Sequence, residues 1–171
     1  MTAAVLFLDI DGVLNAHDFC PLARSGPIHR DKMDRLNWVL SGSGAVVVLS
    51  SAWRYIVHRG EATVAGIDWL LRSHGLHAGR LVGITRPDTL VSRVVTWDGS
   101  TVWPQTDERG SQIRDWLAAH PQYRRYAAVD DLDLGITAAG VPLVKTDGAV
   151  GLTDADALAL RALLWTEATD E

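Results

Sequence analysis

The chain has 171 residues, 47% hydrophobic and 22% charged, a globular composition that excludes a disordered tail, a collagen-like fibre and a disulfide scaffold. Its 16 Lys and Arg against 21 Asp and Glu give a net charge of −5, so bulk attraction to nucleic acid or to an anionic membrane is not indicated, and only a local basic groove would supply it. Cys20 is the only cysteine, which precludes an internal disulfide and fits a reducing, cytoplasmic setting, while no apolar run approaches the ~18 residues of a membrane span.

The length predicts a single domain over residues 1–171. Residues 4–10 (AVLFLDI) form a continuous apolar run, the pattern of a strand covered on both faces. Residues 31–40 place Met33, Leu36, Trp38, Val39 and Leu40 near helical spacing, and the run Ser41-Gly42-Ser43-Gly44 ends that helix. Residues 45–49 (AVVVL) read as a second buried strand, residues 63–74 as a helix carrying Ile67, Leu70 and Leu71 and stopped by Gly75, and residues 81–85 as a third strand. Residues 111–119 predict a helix with Ile113, Trp116 and Leu117 on its apolar side. A fourth strand over residues 127–129 runs into Asp130-Asp131, and Arg124-Arg125 before it reads as a solvated loop. A fifth strand over residues 141–145 carries Pro142, which suits a sheet edge. Residues 154–165 form the closing helix, capped by Thr153 or Asp154. Trp38, Trp69, Trp116 and Trp165 are expected in the core.

Residues 86–108 break the alternation. Asp98-Gly99 between two β-prone runs signals a two-residue turn, so a small β-hairpin is expected as an insertion there, pinned by Trp97 and Trp103. The fold class is therefore α/β, a five-stranded, mostly parallel sheet with helices on both faces and a minimal hairpin cap. Ligands of such sheets bind outside the carboxyl ends of the strands. Three of the apolar runs end there in acid or hydroxyl: Asp9 with Asp11, Ser50 with Ser51, and Asp130 with Asp131.

That constellation suits phosphate-ester hydrolysis. Asp9 and Asp11 can face one pocket if the chain leaves the sheet at Gly12, which permits a sharp departure. Two acids so close repel, and a divalent cation relieves the repulsion. Asp130 and Asp131 complete an oxygen-rich set of the kind that takes Mg²⁺.

The run Asp9-Ile10-Asp11-Gly12-Val13-Leu14-Asn15 resembles the first motif of the haloacid dehalogenase (HAD) superfamily of phosphatases. VVVLSS ending at Ser51 resembles the second motif, Arg109 stands where the third motif has its cation, and AAVDD ending at Asp131 resembles the fourth. Within the superfamily, LSSAWR, the run from Arg109 through His120-Pro121, and VDDLD are similar to the small HAD domains of Swiss-army-knife RNA repair proteins.

The resemblance implies that Asp9 attacks phosphorus to form an aspartyl-phosphate and that Asp11 protonates the leaving oxygen and then activates water, its backbone carbonyl joining Asp9 as a Mg²⁺ ligand. Ser51 is implied as the phosphate ligand, preferred over Ser50 because it lies two residues before Trp53, as in related SxW motifs. Arg109 holds the phosphoryl group, Arg replacing the commoner Lys while keeping its charge. Ser50, Gly12 and Arg54 are expected on the substrate side, and the order of expectation for the remaining metal contacts is Asp131, Asp130, Asp133. The six histidines make no zinc-like spacing and are expected on the surface or in loops, and His17 and His29, which flank the loop after the first motif, have substrate contact as the lesser alternative.

Only about 14 residues (16–29) separate the first motif from the next helix, too few for a large cap. An open site favours a bulky phosphorylated substrate, such as a nucleic-acid end, over a sequestered metabolite; the net charge points the other way. Free nucleotides are the small-molecule option. A non-catalytic HAD-fold module that binds a phosphorylated partner is the alternative, against which the intact Asp9 and Asp11 argue. A receiver domain is disfavoured because residues 81–85 supply no Asp at the end of the third strand.

Overall fold

The computed structural model describes residues 3–16, 27–86, 94–95, 101–102 and 108–165. In chain order its elements are β1 (Ala3–Leu8), α1 (Arg30–Ser43), β2 (Val46–Leu49), α2 (Arg54–His58), α3 (Val64–Ser73), β3 (Leu81–Ile84), β4 (Val94–Val95), β5 (Thr101–Val102), α4 (Arg109–Ala119), β6 (Tyr123–Asp130), β7 (Leu143–Lys145) and α5 (Asp154–Leu164). Five strands form one sheet in the order β3-β2-β1-β6-β7, every pairing parallel, with β7 at an edge as Pro142 implied. The chain is thus a Rossmann-like α/β fold of the expected class.

The apolar run of β1 is continuous because both of its faces are covered. Leu6 and Leu8 point into one core with Met33, Leu36 and Leu40 of α1, Ile67 and Leu71 of α3, and Leu160 and Leu164 of α5. Val5 and Phe7, one residue out of phase, enter a second core with Val48, Ala128, Ile136 and Ile113 of α4. Each such large apolar side chain contributes about 1.5–3 kcal/mol on burial, so the central strand is the most firmly held element.

The helix ends obey local chemistry. Helix α1 runs three residues further than its sequence pattern, to Ser43, because Gly44 takes a left-handed φ of 62° and returns its N–H to Leu40 O at 3.0 Å. Thr63 caps α3, its Oγ1 accepting from Gly66 N at 3.0 Å. Thr153 caps α5 in a reciprocal box with Asp156.

Several expectations are corrected. Helix α2 has no counterpart in the sequence pattern, since five residues are too few to show a period. Arg124 and Arg125 lie within β6 and not in a loop; Arg125 Nη1 donates to Leu164 O at 2.7 Å, tying the strand to the end of α5. Among the four tryptophans expected in the core, Trp116 alone packs there, edge-on to Phe7 at 5.5 Å. Trp38, Trp69 and Trp165 are 42%, 70% and 48% exposed. Trp38 is two residues from buried Leu36 and Leu40, and Trp69 two from Ile67 and Leu71. Two residues turn an α-helix by about 200°, so both rings face away from the core. Trp165 lies just past the end of α5.

The inserted hairpin exists as an antiparallel pair, but its register differs from the expected one. Val95 pairs with Thr101 and Val94 with Val102, whereas an unbroken ladder closed by a two-residue Asp98-Gly99 turn would pair Val95 with Val102. The Asp98-Gly99 turn itself, Trp97, Trp103, His17 and Cys20 lie outside the described residues. No helix among the described residues is long and apolar enough to cross a membrane.

The register sets up what lies at the carboxyl ends. Leu8 is level with Leu49 of β2 and with Val129 of β6. The ladder continues one step further: Ser50 N donates to Leu8 O at 2.9 Å, Asp9 N to Val129 O at 3.0 Å, Thr85 N to Leu49 O at 2.9 Å and Thr146 N to Asp130 O at 3.0 Å. Thr85, Ser50, Asp9 and Asp130 therefore form a row across the strand ends. The chain switches sides of β1 at its β6 neighbour, the crevice where such sheets bind ligands.

Candidate active site

Alternation carries the row onto the α4 side of the sheet, two residues beyond Val48, Phe7 and Ala128 of the second core. There α4 presents Arg109 from its first turn. Gly110 makes that seat achievable: a Cβ at this position would lie 2.0 Å from Gly135 O, so only glycine lets the start of α4 approach the turn after β6 so closely. Arg109 Nη1 sits 3.1 Å from Asp9 Oδ1 and also bonds Asp130 Oδ2. The other oxygen of Asp130 accepts from Leu132 N at 2.9 Å.

Asp9, Asp130 and Asp131 each offer a carboxylate oxygen within 4.8 Å of the others. Burial, more than any neighbouring charge, pushes Asp9 from 3.8 up to about 8, against the pull of Arg109 and with repulsion from Asp130, Asp131 and Asp11 adding to the rise. Asp130 is likewise raised by burial, opposed by Arg109 and by the Leu132 N–H. Two buried acids, Asp9 and Asp130, share the Arg109 guanidinium, and the half-buried Asp131 lies beside them. An all-oxygen, clustered donor set of this kind fits a hard divalent cation.

Asp11 lies in a different environment. Gly12, with φ 78°, turns the chain away from β1 immediately after it. The turn is anchored on several sides: Gly12 N donates to Asn15 Oδ1 at 2.8 Å, Thr146 Oγ1 donates to Gly12 O at 2.8 Å, and Leu152 N donates to Val13 O at 2.8 Å. The half-buried Asp11 carboxylate accepts from Asn15 Nδ2 at 2.8 Å through Oδ1 and from Trp53 Nε1 at 3.1 Å through Oδ2. Its side chain is thus turned to Asn15 and Trp53, and the carboxylate cluster consists of Asp9, Asp130 and Asp131.

The second-motif serines differ in their partners. Ser51 Oγ accepts from Trp53 N at 3.2 Å. Ser50 Oγ is buried without a hydrogen-bond partner, as is Thr85 Oγ1 beside it in the row. Arg54, expected on the substrate side, departs from that placement. It is completely buried; Nη1 donates to Ser50 O at 2.5 Å and Ser51 O at 2.8 Å, and Nη2 to Gln112 Oε1 at 3.0 Å. Its guanidinium braces the turn after β2 against α4. Asp133, third in the expected metal order, is exposed and accepts from Thr137 N at 2.8 Å, outside the cluster. His29 N donates to Leu14 O at 2.8 Å, so the residue flanks the first-motif loop through its backbone.

Asn15, Trp53, Gln112 and Thr146 join the site without having been expected there. Asn15 and Trp53 stand inside the quoted motifs, four residues after Asp11 and two after Ser51, and a polar side chain so placed is a signal in the sequence. Thr146 and Gln112 carry no local signal; only the fold brings them in.

A family model described as the HAD domain in Swiss Army Knife RNA repair proteins matches residues 5–157. The chain belongs to this family. No curated protein and no solved structure matches it. The match makes the chain a phosphatase-like HAD module, and the Asp9, Asp130 and Asp131 cluster is compatible with that class.

Proposed function

We propose that this HAD domain is a Mg²⁺-dependent phosphomonoesterase that works through an aspartyl-phosphate on Asp9. The observation that carries the reading is the Asp9 carboxylate, buried against Asp130, Asp131 and Arg109 at the switch point of a family-matched sheet. Asp9, Asp130 and Asp131 would hold the cation, with the Asp11 carbonyl as a further oxygen. When bound, Mg²⁺ supplies a compact positive charge for phosphoryl oxygens.

The residues divide the work. The Asp9 carboxylate is the nucleophile; a new bond forms from its oxygen to phosphorus as the ester bond to the leaving oxygen breaks. Asp11 gives that oxygen a proton. In the second half, Asp11 takes a proton from water, which attacks phosphorus and releases inorganic phosphate and the Asp9 carboxylate. Arg109 favours the ionised, nucleophilic form of Asp9, which burial alone disfavours, and meets the charge that develops on the phosphoryl group. Ser51 and Ser50 supply hydroxyls to that group, and Arg54 fixes the turn on which both stand. The β4-β5 pair is taken as a minimal cap on a single unit, which suits an exposed phosphate such as a nucleic-acid end, in keeping with the RNA repair proteins that give the family its description.

The test is hydrolysis of 4-nitrophenyl phosphate and of glycerol phosphate with Mg²⁺. Asp9→Asn should lose turnover by on the order of 10⁴ or more, and Asp11→Asn by about 10²–10⁴ on esters with poor leaving groups. Equal activity in all three chains would remove the mechanism. Tight binding of phosphorylated ligands without turnover in the unaltered chain would favour the binding-module reading. Oligonucleotides phosphorylated at the 3′ or 5′ end, set against mononucleotides, then assign the substrate.

A further inference from the structure

We propose that Trp53 and Asn15 are positioning residues that aim the acid proton of Asp11 at the leaving oxygen, fitting this site to unactivated alkyl phosphate esters, such as those of sugar hydroxyls. The inference rests on the phosphomonoesterase reading.

Each Asp11 oxygen accepts from one of the two side chains, Oδ1 from Asn15 Nδ2 at 2.8 Å and Oδ2 from Trp53 Nε1 at 3.1 Å. An indole N–H and an amide NH₂ are donors only. Neither can accept the proton of a neutral Asp11, so the clamp cannot absorb the proton the reaction needs. It fixes the carboxyl plane while leaving the acid hydrogen to be donated elsewhere. Asn15 cannot flip its amide without cost, because its Oδ1 takes Gly12 N at 2.8 Å. Trp53 is set from its own backbone, where its N–H donates to Ser51 Oγ at 3.2 Å, and its ring packs against the first core. The general acid is thereby tied to the first-motif turn and the second-motif turn at once.

That orientation matters in proportion to the leaving group. When the phosphorus–oxygen bond breaks, its electron pair stays on the leaving oxygen. An alkyl oxygen must take the Asp11 proton in the same step, whereas 4-nitrophenolate departs without it. Orientation of a reacting group is a large part of what an enzyme site contributes, and here it is spent on the substrates that need a proton.

The experiment compares kcat/KM for glycerol phosphate and for 4-nitrophenyl phosphate in Mg²⁺, using the unaltered chain, Trp53→Phe, Asp11→Asn and the double variant. Trp53→Phe keeps an aromatic ring against the core and removes the N–H together with part of the indole. It should slow the alkyl ester by on the order of 10- to 100-fold and the aryl ester by less than about threefold. On the alkyl ester the double variant should be no slower than Asp11→Asn, since the clamp acts through that carboxyl. A readout apart from turnover is the Trp53 indole N–H resonance, identified by its loss in Trp53→Phe, which should move in Asp11→Ala. Equal slowing of both esters by Trp53→Phe, additive losses in the double variant, or an unmoved indole resonance overturns the inference while leaving the phosphomonoesterase reading intact. An unaltered chain that hydrolyses neither ester overturns both.

Discussion

Two clusters of Asp and Arg in this HAD domain are built from similar ion pairs and behave in opposite ways. Between α1 and α5, Arg35 bonds Asp31 and Asp154, each at 2.6 Å, with the two carboxylates 55% and 83% exposed. Hydrogen bonds from Lys32 and then Arg35 pull Asp31 down to about 2, and the bond from Arg35 lowers Asp154. At the strand ends Arg109 bonds Asp9 and Asp130, which are 4% and 0% exposed, and both acids are raised, Asp9 to about 8. The guanidinium is the same in both places; water differs. On the surface each charge keeps its hydration and the partner adds a little. In the interior the loss of hydration outweighs the partner. A groove of about 540 Å³ runs past the surface cluster, lined by Asp31, Arg35, Trp38, Asp154 and Leu158 among others, yet those acids are satisfied by Arg35 and solvent. Acids raised by burial mark the candidate site better than concavity does.

The largest effect is expected at Arg109. Arg109→Ala leaves Asp9 and Asp130 buried without their cation, and stability of the metal-free protein, read by urea unfolding at alkaline pH, should fall by about 3–5 kcal/mol. Arg109→Lys should recover part of the loss, keeping the charge but not the planar fork. A loss below about 1 kcal/mol would put Arg109 in the same class as exposed pairs.

The same physics decides how far the two clusters are legible in the sequence. Asp9, Asp130 and Ser50 can be read because each ends an apolar run, and parallel pairing places such ends together. Arg109 is legible from its place at the start of a helix between the second and fourth motifs. The clamp on Asp11 is not, because Trp53 lies 42 residues away in the chain and its N–H finds Asp11 only after β2 docks on β1. Arg54 misleads for a related reason. A charged residue beside a motif reads as solvent-facing, but α2 rolls it under the turn, where the carbonyls of Ser50 and Ser51 and the Gln112 amide replace water. The surface tryptophans show the converse error, since apolar identity suggests burial where helical phase decides it.

With pH the two clusters should respond with opposite signs. In the folded, metal-free protein Asp9 keeps its proton up to about pH 8, while in the unfolded chain it ionises near 3.8. Its contribution to stability is present at low pH and is lost as pH rises between those values, at up to about 1.4 kcal/mol per pH unit. Asp130, also raised, adds in the same direction. Asp31 and Asp154, being lowered, contribute above their ordinary range and lose that contribution as pH falls. Asp9→Asn removes the Asp9 share of the first behaviour and spares the second, so the decline in stability of the metal-free protein from about pH 5 to about pH 8 should be shallower in that variant. Mg²⁺ should stabilise the unaltered chain more at about pH 8 than at about pH 6, because the acids that hold it must give up their protons. Parallel declines in the two chains would show that burial places no such load on Asp9.

The smallest effect belongs to the surface. Arg35→Ala breaks both 2.6 Å pairs, yet Asp31 retains Lys32 at 2.9 Å and both acids retain water. Holding a long, exposed side chain in one geometry costs rotamer freedom that offsets most of the attraction. Thermal unfolding should show no resolvable shift in Tm, and phosphate-ester hydrolysis should be unchanged. Salt separates the two clusters further. Any residual difference between Arg35→Ala and the unaltered chain should vanish toward 1 M salt, where screening reaches within about 3 Å. The deficit of Arg109→Ala should persist, because protein rather than electrolyte surrounds Asp9 and Asp130. A deficit in Arg35→Ala as large as that of Arg109→Ala would mean that ion-pair geometry, and not dehydration, sets the strength of both clusters, and the distinction between site and surface would then have to rest on the family motifs alone.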